Sequence, residues 1–230
     1  MLFSVLYTVG SIGSLLLPRA FCYWVARRLA DYCCWRSPKD REAVRSNLAA
    51  VLGTDQVPTE KVREVFRNFG MYLVDFFRFS RLSVREIQRR VRVEGLHRMR
   101  SALTNGKGVI GLTAHLGNYE LAGAVLSLQG LPVNAVVLTH QNKRVNAFFE
   151  HQRSRVGVKN IPVFGNGMRA FFEAAISVLR RNEILALVGD RDFFGHGLEL
   201  PLFGRTLKVP QGPASFSLRT GAPIVPCFLV

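Results

Sequence analysis

Several things are scarce in this chain, and each scarcity narrows what it can be. Charge is missing from residues 1–18, and acids are few throughout: 16 Asp and Glu stand against 31 Lys and Arg in 230 residues, a formal net charge of +15. Cysteine is sparse. Cys22, Cys33, Cys34 and Cys227 form no C-x-x-C and no Cys/His zinc spacing, so no metal site and no disulfide framework is expected. They read as reduced thiols, which suits a cytosol-facing domain. No G-x4-G-K-[ST] and no G-x-G-x-x-G is present, which removes the usual phosphate cradles. The apolar N-terminus has no basic run ahead of it, so a cleaved signal peptide fits poorly. Internal repeats and low-complexity tracts are absent as well.

What is present is a folded chain. Hydrophobic residues make up 48 %, too many for disorder, and the length suits one α/β domain with a full core. The positive charge is uneven. Residues 19–110 carry 19 Lys and Arg against 9 Asp and Glu. The more basic half therefore adjoins the apolar N-terminus, a pattern that fits an anionic membrane surface, an acidic protein or nucleic acid.

Three regions follow. Residues 1–26 are expected to form a membrane-anchoring helix, either spanning or dipping into one leaflet. A helix over 1–18 would be about 27 Å long against a hydrocarbon core of about 30 Å, and Pro18 is a potential kink. Arg19, Arg27 and Arg28 follow at once, so the positive-inside rule places the rest in the cytoplasm. Residues 27–90 read as a helical basic region packing on the core. Asp40 to Leu52 is one expected helix. A longer one begins at Thr59, with Val62, Val65, Phe66, Phe69, Leu73, Phe76 and Phe77 on its apolar side. Ser83 to Glu86 is a capping box, and Arg81, Arg85 and Arg89 fall on one helical stripe, either solvated or set against lipid headgroups.

From residue 91 to 230 the pattern becomes an alternation of strands and helices, the core of the molecule. Strands are expected at 91–93, 109–112, 133–138, 161–164, 184–188 and 224–230. Helices are expected at 96–103, after Gly117, and at 142–155, 168–181 and 212–219. Such alternation predicts an α/β fold, a mixed and mainly parallel sheet flanked by helices, with its site at the carboxyl ends of the strands. The last strand stops at Val230 with no polar tail, so the sequence is expected to be truncated there.

The stretch that organises the chain is GVIGLTAHLGNYELAG, residues 108–123. An apolar strand ends at Thr113, His115 lies in the turn that follows, and Glu120 begins the next helix. On one continuous helix, residues five apart point roughly 140° from each other. His115 and Glu120 can therefore converge only across a strand-to-helix turn, where a carboxylate is also favoured by the helix dipole. A carboxylate on one imidazole nitrogen leaves the other as a base for an alcohol. The competing reading is a histidine satisfied in a turn and a capping Glu.

That stretch resembles the H-x4-D/E block of glycerolipid and lysophospholipid acyltransferases. The Glu form, together with GDRDFFGHG at 189–197 and GPASFSLRTGAPIVPCFLV at 212–230, resembles the bacterial lipid A biosynthesis late acyltransferases. The resemblance implies an inner-membrane enzyme facing the cytoplasm. Such an enzyme moves a fatty acyl chain from acyl carrier protein to a hydroxyl of a lipid A precursor, with no cofactor and no acyl-enzyme. It implies His115 as general base with Glu120 as partner. Backbone N–H groups of the Gly117-Asn118 turn, or a nearby Arg, would serve the oxyanion. Arg155 falls near the family's second block and is expected to meet substrate, as are Asn118 and the third-block residues Asp190, Arg191 and Asp192. The third block lacks the common Pro-Glu-Gly context, and a purely structural loop is the alternative there. Mycobacterial relatives that acylate phosphatidylinositol mannosides from acyl-CoA share the plan, so that donor and acceptor form the alternative reading. The acidic carrier protein and phosphorylated lipid suit the basic field.

Three other readings remain to be weighed. Metal-assisted phosphoryl transfer by Asp190 and Asp192 lacks a phosphate loop. A nucleic-acid-binding module lacks a recognisable motif, and the aromatics follow helical core spacing; no nucleic-acid partner is expected. A non-catalytic lipid-binding protein would keep the fold without turnover.

Overall fold

The computed structural model describes residues 2–139, 142–163, 167–193 and 195–230. The chain opens with four helices: α1 (Leu2–Leu16), α2 (Arg19–Arg36), α3 (Pro38–Leu52) and α4 (Thr59–Phe77). Pro18 separates the first two; it cannot donate to the preceding turn, and its own φ is −57°. The expected single helix over 1–26 is thus two helices. Among the described residues, no helix is long and apolar enough to cross a membrane, so the spanning form of the anchor has no support.

Helix α2 lies along α4. Ala26 sits so close to Gly70 that a Cβ on the glycine would lie 3.1 Å from the Ala26 carbonyl oxygen. Arg67 donates to Asp31 at 2.6 Å. At the other end Arg19 and Tyr23 both reach Asp75, at 2.9 and 2.8 Å. Burial, then the Asp75 carboxylate, push the Tyr23 phenol up to about 12. The opposite face of α4, carrying Val62 and Phe76, is buried.

After α4 come α5 (Val84–Arg90), α6 (Leu96–Leu103) and the α/β core. Ser83 caps α5 by accepting from the Glu86 N–H. Val91 is extended, but residues 91–94 form no strand. The segment is a short link between two helices, with Arg92 exposed, and it pairs with no strand among the described residues; the expected strand at 91–93 is corrected. The core elements are β1 (Val109–Thr113), α7 (Tyr119–Leu128), β2 (Val133–Val137), α8 (Lys143–Arg155), β3 (Lys159–Pro162), α9 (Met168–Arg180), β4 (Ile184–Val188), β5 (Leu198–Leu202), β6 (Arg205–Val209), α10 (Gly212–Thr220) and β7 (Ile224–Pro226). The main sheet has the order β3-β2-β4-β1-β7, and its pairs are parallel. The expected last strand is shorter than 224–230, although Leu229 makes an isolated bridge to Gly117.

Alternation along β1 and β4 builds two cores. Val109 and Ile184 face a cluster with Phe76, Met99 and Phe149. Ile110 and Leu185 face the other side, against Phe171, Leu179 and Phe216. All four strand residues are fully buried, and each such burial contributes about 1.5–3 kcal/mol. The antiparallel hairpin β5–β6 stands apart as a two-stranded sheet. Sequence periodicity did not reveal it. Leu198, Leu200 and Leu202 alternate, but Pro201 lies between them and all of β5 is exposed.

Candidate functional site

Strands β1 and β4 are neighbours in register, Thr113 opposite Val188. Each stops there, so the residues just beyond their carboxyl ends meet. The His115 Nδ1 lies 2.8 Å from Asp190 Oδ1, and the His115 backbone N–H donates to Asp190 Oδ2 at 3.1 Å. One carboxylate thus holds both the ring and the backbone of the histidine. With Nδ1–H donating to Asp190, Nε2 carries the free lone pair. The edge of the imidazole also meets the Tyr119 ring, with centroids 5.0 Å apart at 75°.

The turn between His115 and α7 is set by backbone rather than side chain. Gly117 has φ +60°, and a Cβ there would lie 1.9 Å from the Leu229 carbonyl oxygen, so only glycine fits. The Asn118 N–H donates to that same oxygen at 3.0 Å. This N–H is therefore spent, which corrects its expected availability to an oxyanion. The Asn118 side chain caps α7, accepting from the Leu121 N–H at 3.0 Å.

Glu120 begins α7 but does not face His115's nitrogens. It accepts two hydrogen bonds from Arg153, one from Nε at 2.9 Å and one from Nη2. The expected His115–Glu120 pairing is corrected: the imidazole carries Asp190, and Glu120 carries Arg153. The first turn of α7 aims Glu120 at α8, while β4 delivers Asp190 beside β1. The two pairs differ in burial. The side chains of Glu120 and Arg153 are each 11 % exposed, against 36 % and 35 % for His115 and Asp190.

Arg153, not Arg155, is the α8 arginine at this cavity. Arg155 is exposed and turned away, whereas Arg153 is buried on the face it shares with Val145, Phe149 and Gln152. The signal was available: Arg153 follows Phe149 by four residues, one helical turn. Burial alone would lower the Arg153 guanidinium's pKa, but the bonded Glu120 carboxylate more than offsets this and raises it. Burial also raises the phenols of Tyr72 and Tyr119. These rings stack 5.6 Å apart with their hydroxyls 3.3 Å from each other.

His115, Glu120 and Arg153 line one cavity of about 940 Å³. Much of its lining is apolar, with Leu126, Val136, Phe149, Phe171 and Phe216 among the lining side chains. Arg191 and Asp192 line it too; Asp190 stands behind the imidazole. Arg191 is exposed and lies over the Phe193 ring, 5.0 Å from its centroid. Asp192 accepts from the Gly197 N–H at 2.7 Å and so shapes the loop entering β5. Asn118 lines a second cavity, of about 1,220 Å³, on whose wall Arg81, Arg90 and Arg98 also lie. Among the described residues no cluster of His, Cys, Asp and Glu could hold a metal.

Fold and site first define a class: parallel α/β domains that set an oriented imidazole at the rim of an apolar cavity. Within that class, the chain belongs to the bacterial lipid A biosynthesis acyltransferase family, whose model matches residues 2–230. It is 30 % identical over 189 residues to a phosphatidylinositol mannoside acyltransferase of Mycobacterium tuberculosis, covering 80 % of this chain and 60 % of that protein. The protein of that name from Mycolicibacterium smegmatis is 28 % identical over 187 residues, 80 % of this chain and 61 % of the relative. A lipid A biosynthesis acyltransferase of Haemophilus influenzae is 22 % identical over 196 residues, 84 % and 60 % of the two chains. The chain thus spans about three-fifths of the length of the curated relatives it matches.

Proposed function

We propose that this chain carries an O-acyltransferase that moves a fatty acyl group from a thioester to a lipid hydroxyl. The observation that carries the reading is the His115–Asp190 pair at the rim of the apolar cavity. His115 Nε2 takes the proton of the acceptor hydroxyl as its oxygen attacks the thioester carbonyl. The C–S bond then breaks, and the imidazolium returns the proton to the leaving thiolate. An ester and a free thiol result, and no acyl-enzyme forms. Asp190 orients the imidazole and stabilises its charged form. Glu120 and Arg153 fix the cavity wall between α7 and α8. Arg191 supplies positive charge for the oxyanion or for a phosphate on the acceptor. No cofactor is required, and the acyl chain takes the apolar wall.

Acyl carrier protein is the proposed donor and a lipid A precursor the acceptor, at the cytoplasmic face of the inner membrane. The family supports this choice, as does the net charge of +15, which suits an acidic carrier and an anionic lipid. Acyl-CoA with a phosphatidylinositol mannoside is the second reading, favoured by the higher identity to the mycobacterial relatives.

The test is transfer by purified protein in detergent, with each donor offered against each acceptor. Ester and free thiol should appear in equal amounts for one pairing, with no labelled protein trapped. Undiminished transfer in a folded His115→Ala variant rejects the base, and a covalent acyl-protein rejects direct attack.

A further inference from the structure

Helix α2 has a side that no other element covers among the described residues. Its inner side packs on α4 through Tyr23, Ala26 and Asp31. The outer side carries Phe21, Trp24, Arg28, Tyr32 and Trp35, at spacings of three, four, four and three. Those steps keep the five on one nearly straight stripe of the helix. The four aromatics are exposed by 47, 55, 58 and 70 % in chain order. They are ordered among themselves: Phe21 stacks on Trp24 and Tyr32 packs on Trp35, each pair with centroids 5.9 Å apart. The Arg28 guanidinium lies 5.8 Å from the centre of the Trp24 ring.

We propose that this stripe is a membrane-docking surface, and that α2 lies in the plane of the headgroup layer of an anionic bilayer. Trp and Tyr suit that layer because each has an apolar body and a polar tip. The charges match as well. Arg27, Arg28 and Arg36 are exposed on α2, and its one acid, Asp31, is held by Arg67. A basic helix with an aromatic face lies on a membrane rather than through it, in keeping with the lack of a spanning helix among the described residues. A second copy of the chain is the weaker occupant. A two-fold contact centred on the stripe would set Arg28 against its own copy, like charge against like. The proposal deepens the acyltransferase reading by giving the protein a lipid surface to work on, but its test does not depend on turnover.

The chain has two tryptophans, and both lie in the stripe. Their fluorescence therefore reports on this surface directly. The whole chain is mixed with vesicles of phosphatidylglycerol and phosphatidylethanolamine, with neutral phosphatidylcholine vesicles in parallel. Expected are a blue shift, quenching by lipids brominated in the upper acyl chain, and binding at least about tenfold tighter to anionic vesicles. The double variant Phe21→Ser/Tyr32→Ser keeps both tryptophans and should bind about tenfold or more weakly. Its circular dichroism and any transfer to a detergent-dispersed acceptor should stay at the parent's level. Vesicle binding without quenching, or an undiminished double variant, overturns the proposal. So does a blue shift that needs no lipid, grows with protein concentration and tracks a doubled mass, which assigns the stripe to a second copy. A parent that docks but transfers nothing in detergent sinks the acyltransferase reading instead.

Discussion

Two acid–base pairs stand at one cavity and are built for different work. Glu120–Arg153 is nearly buried, doubly hydrogen-bonded and locked between two helices. His115–Asp190 is joined by one ring hydrogen bond and lies about a third exposed at the ends of two strands. A buried, doubly hydrogen-bonded ion pair serves as a brace. In the half-exposed pair, the second ring nitrogen has no partner among the described residues and is open to a hydroxyl in the cavity. The contrast explains why the carboxylate nearest His115 in sequence is not the one that touches it.

The contrast can be attacked from both ends. His115→Ala should give the largest loss, a fall in transfer of about 10³–10⁴-fold with little change in melting temperature. A loss of stability of the same size instead would make the histidine structural. Glu120→Ala should do the reverse. Stranding Arg153 should cost about 3–5 kcal/mol of stability in urea unfolding, and adding Arg153→Met should recover most of it. If the double variant regains its stability but transfers nothing, Glu120 is more than a brace. Asp190→Asn should reduce transfer by about 10²-fold, because the half-exposed imidazole is retained but no longer held by a charge. Its stability should move far less than that of Glu120→Ala.

The smallest expected effect is in alkali. Burial raises the Tyr72 and Tyr119 phenols above their ordinary value. Below about pH 10 both are neutral, folded or unfolded, and their contribution is fully present. Above it the unfolded chain gives up these protons first, so stability should fall as pH rises. Tyr72→Phe should flatten that fall while costing no more than about 1.5 kcal/mol near neutrality. An unchanged alkaline slope in melts from pH 9 to 11 would show that other groups set it.

Much of the sheet was legible because β1 and β4 are short apolar runs closed by turn residues, as buried parallel strands must be. The hairpin was not, since both its strands face solvent and apolar alternation alone names no partner. Within the site, spacing revealed which residues share a neighbourhood but not which way they point. His115 and Glu120 do line one cavity. Asp190, seventy-five residues away, reaches the imidazole only because β4 lies beside β1, an order set by the whole sheet. Arg153 could have been separated from Arg155 by helical phase alone. Pro18 was visible as a kink, and the structure has it dividing two helices that lie on α4 rather than one long rod.

The bridge from Gly117 to Leu229 ties the two ends of the α/β core into one part. The loop that positions His115 rests on the Leu229 carbonyl, more than a hundred residues downstream. A chimaera that imports the 113–120 loop from a relative while keeping its own residues 224–230 would mismatch the two halves of that joint. Exchange of the two segments together should preserve it. For protein engineering they form a single cassette, however far apart the gene places them.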